Sequence, residues 1–152
     1  MAKDETVLME GVSLIFKNFT GRPTTFAPEG RKNFAVLIDD ATAEVMAADQ
    51  WNVKWLKPKE EGDTPQAILP VFLRFDVFPA RVVLVTSRGR TNLDDSNIEM
   101  LDWANIINVD LIIRPHHWEF NGGTGVKAWV KSMYVTIEED PLEAKYNEAE
   151  MV

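Results

Sequence analysis

Between residues 67 and 77 apolar and polar positions alternate. Ala67, Leu69, Val71, Leu73, Phe75 and Val77 fall on one side, and Ile68, Phe72, Arg74 and Asp76 on the other, which is the period of a half-buried strand. The same period runs through 7–19, with Val12, Leu14 and Phe16 set against Ser13 and Lys17, and predicts a first long strand. Residues 33–38 (NFAVLI) form a shorter apolar strand. Asp39 or Asp40 then stands where a helix over 41–50 needs its cap, with Ala41, Val45 and Ala48 as the buried stripe. Residues 51–57 read as extended, with Trp55 in the core. After Pro79 the run RVVLVTS is a further strand, and Ser96 with Glu99 has the spacing of a capping box for a short helix carrying Ile98, Leu101 and Asp102. Gly21, Pro23, Pro28 and Gly30 mark a loop to about residue 31, and 57–65 is a polar loop.

The longest pattern lies at 109–137, where two β-rich runs flank Gly122 and Gly123 and predict a hairpin. A two-residue turn at these glycines pairs Asn121 with Thr124, Trp118 with Lys127, His116 with Trp129 and Arg114 with Lys131. Core parity then conflicts. Val126, Ala128 and Val130 are out of step by one with Met133, Val135 and Ile137, so the pattern requires one extra residue, a β-bulge, near Lys131 and Ser132. With it, Val109, Leu111, Ile113, Val126, Ala128, Val130, Met133, Val135 and Ile137 share a core face.

The opposite face carries Arg114, His116, Trp118, Phe120, Lys127, Trp129 and Tyr134, with Lys131 beside the bulge. Cations interleaved with rings suit single-stranded nucleic acid, because bases stack on rings and phosphates seek Lys or Arg. Phe72 with Arg74 repeats the combination, and Arg88 and Arg90 flank Gly89 at a turn that suits phosphate contact. The alternative is a structural or protein-interaction module in which the same face meets another protein, since aromatic and Arg residues are enriched in both kinds of interface.

Charge first argues against a phosphate partner, because the net charge is −8. Its distribution reverses that. The last fifteen residues, 138–152, hold six acids against Lys145, so five of the eight net negative charges belong to an acidic C-terminal tail and three to 1–137. Within 71–93, Arg74, Arg81, Arg88 and Arg90 face only Asp76, the segregation of a one-sided surface. The expected organisation is therefore a single domain over 1–137 followed by the tail. Zero cysteines remove disulfides and thiol chemistry. No signal-length or membrane-length apolar run occurs, so no membrane partner is expected. His116 and His117 point to opposite faces of a strand and cannot chelate one ion together, and in the acidic run Asp94, Asp95, Glu99 and Asp102 the first two read as first-turn acids that complement the helix dipole, which argues against a metal cluster. No Gly-x-Ser-x-Gly elbow, phosphate loop or dinucleotide fingerprint is present. The expectation is a protein that is not an enzyme and uses no cofactor or metal.

The stretches FKNFTGRPTTFAPEGRKNFAVLID, WNVKWLKP and LDWANIINVDLIIRPHHWEFNGGTGVKAWVKSMYVTIEEDPLEAKY resemble bacteriophage single-stranded DNA-binding proteins, over most of 10–146. The resemblance implies a mainly β OB-fold, a Greek-key barrel with small helices and the long C-terminal hairpin. It implies sequence-independent binding of single-stranded DNA in phage replication or recombination, in the cytoplasm of the infected bacterial cell. The tail resembles those that compete with DNA for the basic groove and recruit phage or host replication and recombination proteins. Here it ends Glu150-Met151-Val152, without the aromatic terminus that several such tails carry. A homo-oligomer stays open. The candidate nucleic-acid-binding residues are Arg114, His116, Trp118, Lys127, Trp129, Lys131 and Tyr134, supported by Phe72, Arg74, Arg88 and Arg90.

Overall fold

The computed structural model describes residues 5–23, 30–58, 60–76 and 78–139. Its strands are β1 (Val7–Met9), β2 (Leu14–Asn18), β3 (Lys32–Ile38), β4 (Lys54–Leu56), β5 (Gln66–Leu73), β6 (Arg81–Thr86), β7 (Gly89–Leu93), β8 (Ile106–Phe120) and β9 (Gly123–Ile137), with helix α1 (Asp40–Ala48) and a 3₁₀ turn at Ile98–Asp102. The main path of the sheet runs β1-β8-β9-β5-β3-β2.

The first predicted strand is two. Gly11 takes a positive φ of 61°, which a residue without Cβ adopts freely, and the chain changes partners there. β1 pairs with β8 and Val12 donates to Val109, but the next residue, Ser13, accepts from Leu37 of β3. Consecutive residues thus bond to opposite ends of the strand order, which curls the sheet on itself. With β1 and β2 counted as one divided strand, and β5 parallel to β9, this is the partly open five-stranded Greek-key barrel of an OB-fold. Phe16, expected inward, is instead 64% exposed: the register shifts between Ile15 and Asn18, and Phe16 sits at positive φ.

β9 is the hub. It pairs along its length with β8, and on its other side with β5 at Ala128 and Trp129, then with β6 from Ser132 to Thr136. The bulge falls where the parity conflict requires it, since Ile113 faces Val130 while Ile112 faces Ser132. Lys131 is the extra residue. The turn, however, is Asn121-Gly122, with φ of 50° and 79°, the doubly positive geometry that Asn-Gly favours in a hairpin. Partners therefore shift by two: His116 faces Lys127, Arg114 faces Trp129 and Trp118 faces Gly125. A shift of two keeps every side chain on its expected face, and Val109, Leu111, Ile113, Val126, Ala128, Val130, Met133 and Val135 are all buried, with Ile137 packed against them.

Smaller expectations need correction. Asp39 caps α1, accepting from the Thr42 N–H at 2.7 Å, and this holds its carboxyl below the ordinary value. The buried residues of α1 are Ala43 and Met46, whereas Val45 is 58% exposed. Trp51, which bridges to Val126, takes the buried place expected for Trp55. β5 ends at Leu73, so Arg74 and Asp76 belong to the following connection, Val77 lies outside the described residues, and Ile68, expected outward, is buried between Leu37 and Lys54 on neighbouring strands. The strand β7 was not legible, because GRTNL lacks an apolar period. The capping box does not form: Asp94 takes the Ser96 N–H and Oγ, and the helix is a 3₁₀ turn. Among the described residues no helix is long and apolar enough to cross a membrane.

Candidate nucleic-acid interface

The outward side of β5 and β9 carries the densest group of rings and cations. Because β5 runs parallel to β9 with Phe72 level with Trp129, their rings meet, centroids 5.6 Å apart and tilted by 41°. His116 sets its edge against Trp129 at 6.2 Å. Three cations lie over this pair: Arg74 at 5.4 Å from the Trp129 ring, and Arg31 and Lys127 each at 5.7 Å from Phe72. Both rings are half-buried, open on the side away from the core. The Trp129 Nε1–H is buried and meets no acceptor among the described residues, which costs roughly 1–3 kcal/mol.

A cleft of about 710 Å³ adjoins the rings, with Arg31, Lys32 and Arg74 on its walls beside Trp129. Its two acids are spent on cations: Asp95 pairs with Lys32 at 2.6 Å, and Asp76 takes two hydrogen bonds from Arg74 at 2.6 and 2.9 Å, which raise the Arg74 pKa. Arg114, directly across from Trp129, donates to the Phe78 carbonyl at 2.8 Å and lies 4.9 Å from the Phe78 ring. Burial, and then the nearby charge of Arg74, pull its pKa down.

Trp118 leans across the hairpin onto bare backbone. A Cβ on Gly125 would come within 2.5 Å of its indole, so the glycine is the slot in which the ring rests. Its place on this face is as expected, but its cross-strand neighbour is Gly125 rather than Lys127. Lys131 is exposed at the bulge and does not face Arg114. Tyr134, Arg88 and Arg90 do not join the group around Trp129. Tyr134 lies past the bulge, with Arg81 and Arg90 over its ring at 5.8 and 5.7 Å, and Arg88 stands at the β6–β7 turn.

A family model described as a putative phage ssDNA-binding domain matches residues 1–152. The chain belongs to that family. No curated relative matches it. Among solved structures, the single-stranded DNA-binding protein from bacteriophage Enc34 in complex with ssDNA superposes with a TM-score of 0.58 at 13% identity, covering 90% of this chain and 88% of that one. The same phage protein without DNA gives a TM-score of 0.56 at 11% identity, covering 90% and 83%.

In this phage ssDNA-binding domain the ring group spans three strands, with Phe72 on β5, His116 on β8 and Trp129 on β9, beside the connection containing Arg31. Arg31, Lys32 and Phe78 were not among the candidate residues read from the sequence, and Arg81 entered only through the charge of 71–93. The parallel pairing that gathers them is invisible in local periodicity. Phe78 left one trace: an aromatic ahead of Pro79 in a connection, where nothing local buries it. It is 72% exposed, at positive φ.

Proposed function

We propose that this domain binds single-stranded DNA without sequence preference, stacking bases on Trp129, Phe72 and Trp118 and meeting phosphates with Arg74, Lys127, Lys131 and Arg114. The observation that carries this reading is the Phe72–Trp129 pair at 5.6 Å with three cations over it, on a face turned away from the core. Membership of a phage ssDNA-binding family supports it, as does likeness to a phage protein solved with ssDNA. Neither ring reads a base edge, so the site takes any sequence. His116 braces Trp129 from its edge. Arg74 exchanges Asp76 for a phosphate when DNA arrives, which frees the upper face of Trp129. The role is non-enzymatic coating of single strands during phage replication or recombination in the infected cell, with the acidic tail as the segment that meets partner proteins.

Titrating the full chain with labelled single-stranded oligonucleotides of two unrelated sequences, at two salt concentrations and with duplex competitor, tests this. Similar affinities for both sequences, weak competition by duplex and a steep fall with salt are expected. A face that serves only protein contacts gives no salt-dependent oligonucleotide binding, and that result would overturn the reading.

A further inference from the structure

We infer that the β6–β7 hairpin carries a second nucleotide subsite, built on Tyr134 between Arg81 and Arg90, which only a strand long enough to cross the β9 bulge can reach. The inference rests on the single-stranded DNA reading of the Trp129 group and extends it.

Tyr134 projects from the same outer face of β9 as Trp129. Its ring has two guanidinium carbons near its centroid, Arg81 at 5.8 Å from β6 and Arg90 at 5.7 Å from β7. The pairing explains the convergence: Val83 is level with Tyr134 on β9 and with Asn92 on β7, while Arg90 faces Val85 and Arg81 faces Ser132. Two like charges are thus held over one ring. Among the described residues neither arginine forms an ion pair, in contrast to Arg74, which Asp76 holds at 2.6 Å. The acids nearby are occupied elsewhere. Asp110, directly across from Tyr134, accepts from the Gly11 N–H at 3.0 Å and the Asn108 side chain at 3.3 Å. Glu139 accepts from the Ser87 N–H and Oγ at 3.0 and 3.1 Å. A stacked guanidinium keeps its N–H edge free for a phosphate, so ring and arginines together supply what one nucleotide needs.

The ground between the two groups is suited to a passing strand. Trp129 and Tyr134 are five positions apart, at most roughly 16 Å along a strand, which is about five nucleotides at the 3.4 Å spacing of a stacked strand. Lys131 is exposed between them. β5 pairs with β9 just before the bulge and β6 just after it, so the connection bearing Phe78 spans the gap on that side, with Arg114 against the Phe78 ring.

The test is a length series of oligothymidylates, from about 4 nucleotides, too short to reach from Trp129 to Tyr134, to about 20, just beyond the span of site sizes known for OB-folds. It is run on the full chain and on Arg81→Gln, Arg81→Gln with Arg90→Gln, Tyr134→Ala and Tyr134→Phe, each checked for folding by circular dichroism. The subsite predicts that the double arginine variant and Tyr134→Ala lose about 10-fold in affinity for the longest oligonucleotide, the size of one lost stack, and less than about 2-fold for the shortest. Arg81→Gln alone loses an intermediate amount, and Tyr134→Phe, which keeps the ring, binds long strands like the parent. Equal losses at every length, or no loss on the longest oligonucleotide, would overturn the subsite while leaving the Trp129 site standing. If the parent protein bound no oligonucleotide of any length, the single-stranded DNA reading would fall first and the subsite with it.

Discussion

The indole of Trp118 rests on the backbone of Gly125, its direct cross-strand neighbour. Any side chain at 125 occupies the space of the ring. Gly125 has no positive φ, so alanine fits the backbone and the cost falls on Trp118 alone. Gly125→Ala is expected to leave the fold intact, shift tryptophan emission to the red and weaken oligonucleotide binding by about 1 kcal/mol, the low end for one stack. Emission and affinity both equal to the parent's would show that the ring does not depend on this slot.

Trp129→Ala removes the ring that Phe72, His116 and Arg74 surround. Its Cβ lies on the outer face, so the melting temperature stays close to that of the parent while binding weakens by roughly 1 to 3 kcal/mol. Trp129→Phe separates stacking from hydrogen bonding: it keeps a ring and removes the buried, unpartnered N–H. It should bind nearly as well as the parent and melt no lower. A variant of either kind that unfolds, with its folded fraction binding normally, would place Trp129 in the core.

Lys127→Ala combined with Lys131→Ala is expected to weaken binding to all single-stranded sequences alike, because phosphates carry no sequence information. Each lost phosphate contact takes about 0.7 from the log-log salt slope, so the pair removes about 1.4. Weaker binding with an unchanged slope would mean that these lysines do not touch the DNA backbone.

Removing residues 138–152 takes away five net negative charges, beginning beside the β6–β7 turn where Glu139 holds Ser87. A tail that starts this close to Arg88 and Arg90 competes with phosphate for them. Truncation should tighten DNA binding, most at low salt, with the difference shrinking as salt rises. Fluorescence anisotropy of both forms across a salt series checks it, and equal affinities at the lowest salt would end the idea. Residues 140–152 lie outside the described residues; the competition follows from their charge and from the place of Glu139 beside Ser87.

The hairpin was legible because its information is local. Alternation assigned its faces, and the clash of parity between Val130 and Met133 located the bulge to Lys131 or Ser132, of which the structure takes Lys131. The turn was misread by one position because Gly122-Gly123 and Asn121-Gly122 are both good turn pairs, and only the second places Asn in the first positive-φ position. Long-range pairing was out of reach. Nothing in the alternation of 67–77 says that Phe72 lies level with Trp129, more than fifty-five residues later, or that the connection after β5 returns Phe78 to Arg114. Periodicity also fails on short elements. In α1 the stripe is set by Ala43 and Met46, and Ala41, Val45 and Ala48 made an equally regular one. Between Trp51 and Trp55, the choice was made by a bridge to Val126.

β9 bonds to β5, β6 and β8, all of which precede it in the chain. On a ribosome those three strands emerge first and wait, each with an open edge, until 123–137 arrives to join them. Parallel pairings over such separations close large loops, which makes assembly slow. A chain stopped before residue 123 lacks the strand that joins β8 to β5 and β6, and lacks Trp129, so truncated products carry neither the closed sheet nor the surface. Nascent protein cannot capture DNA on this face before β9 has emerged, because the strand that finishes the barrel also brings the central ring of its outer face.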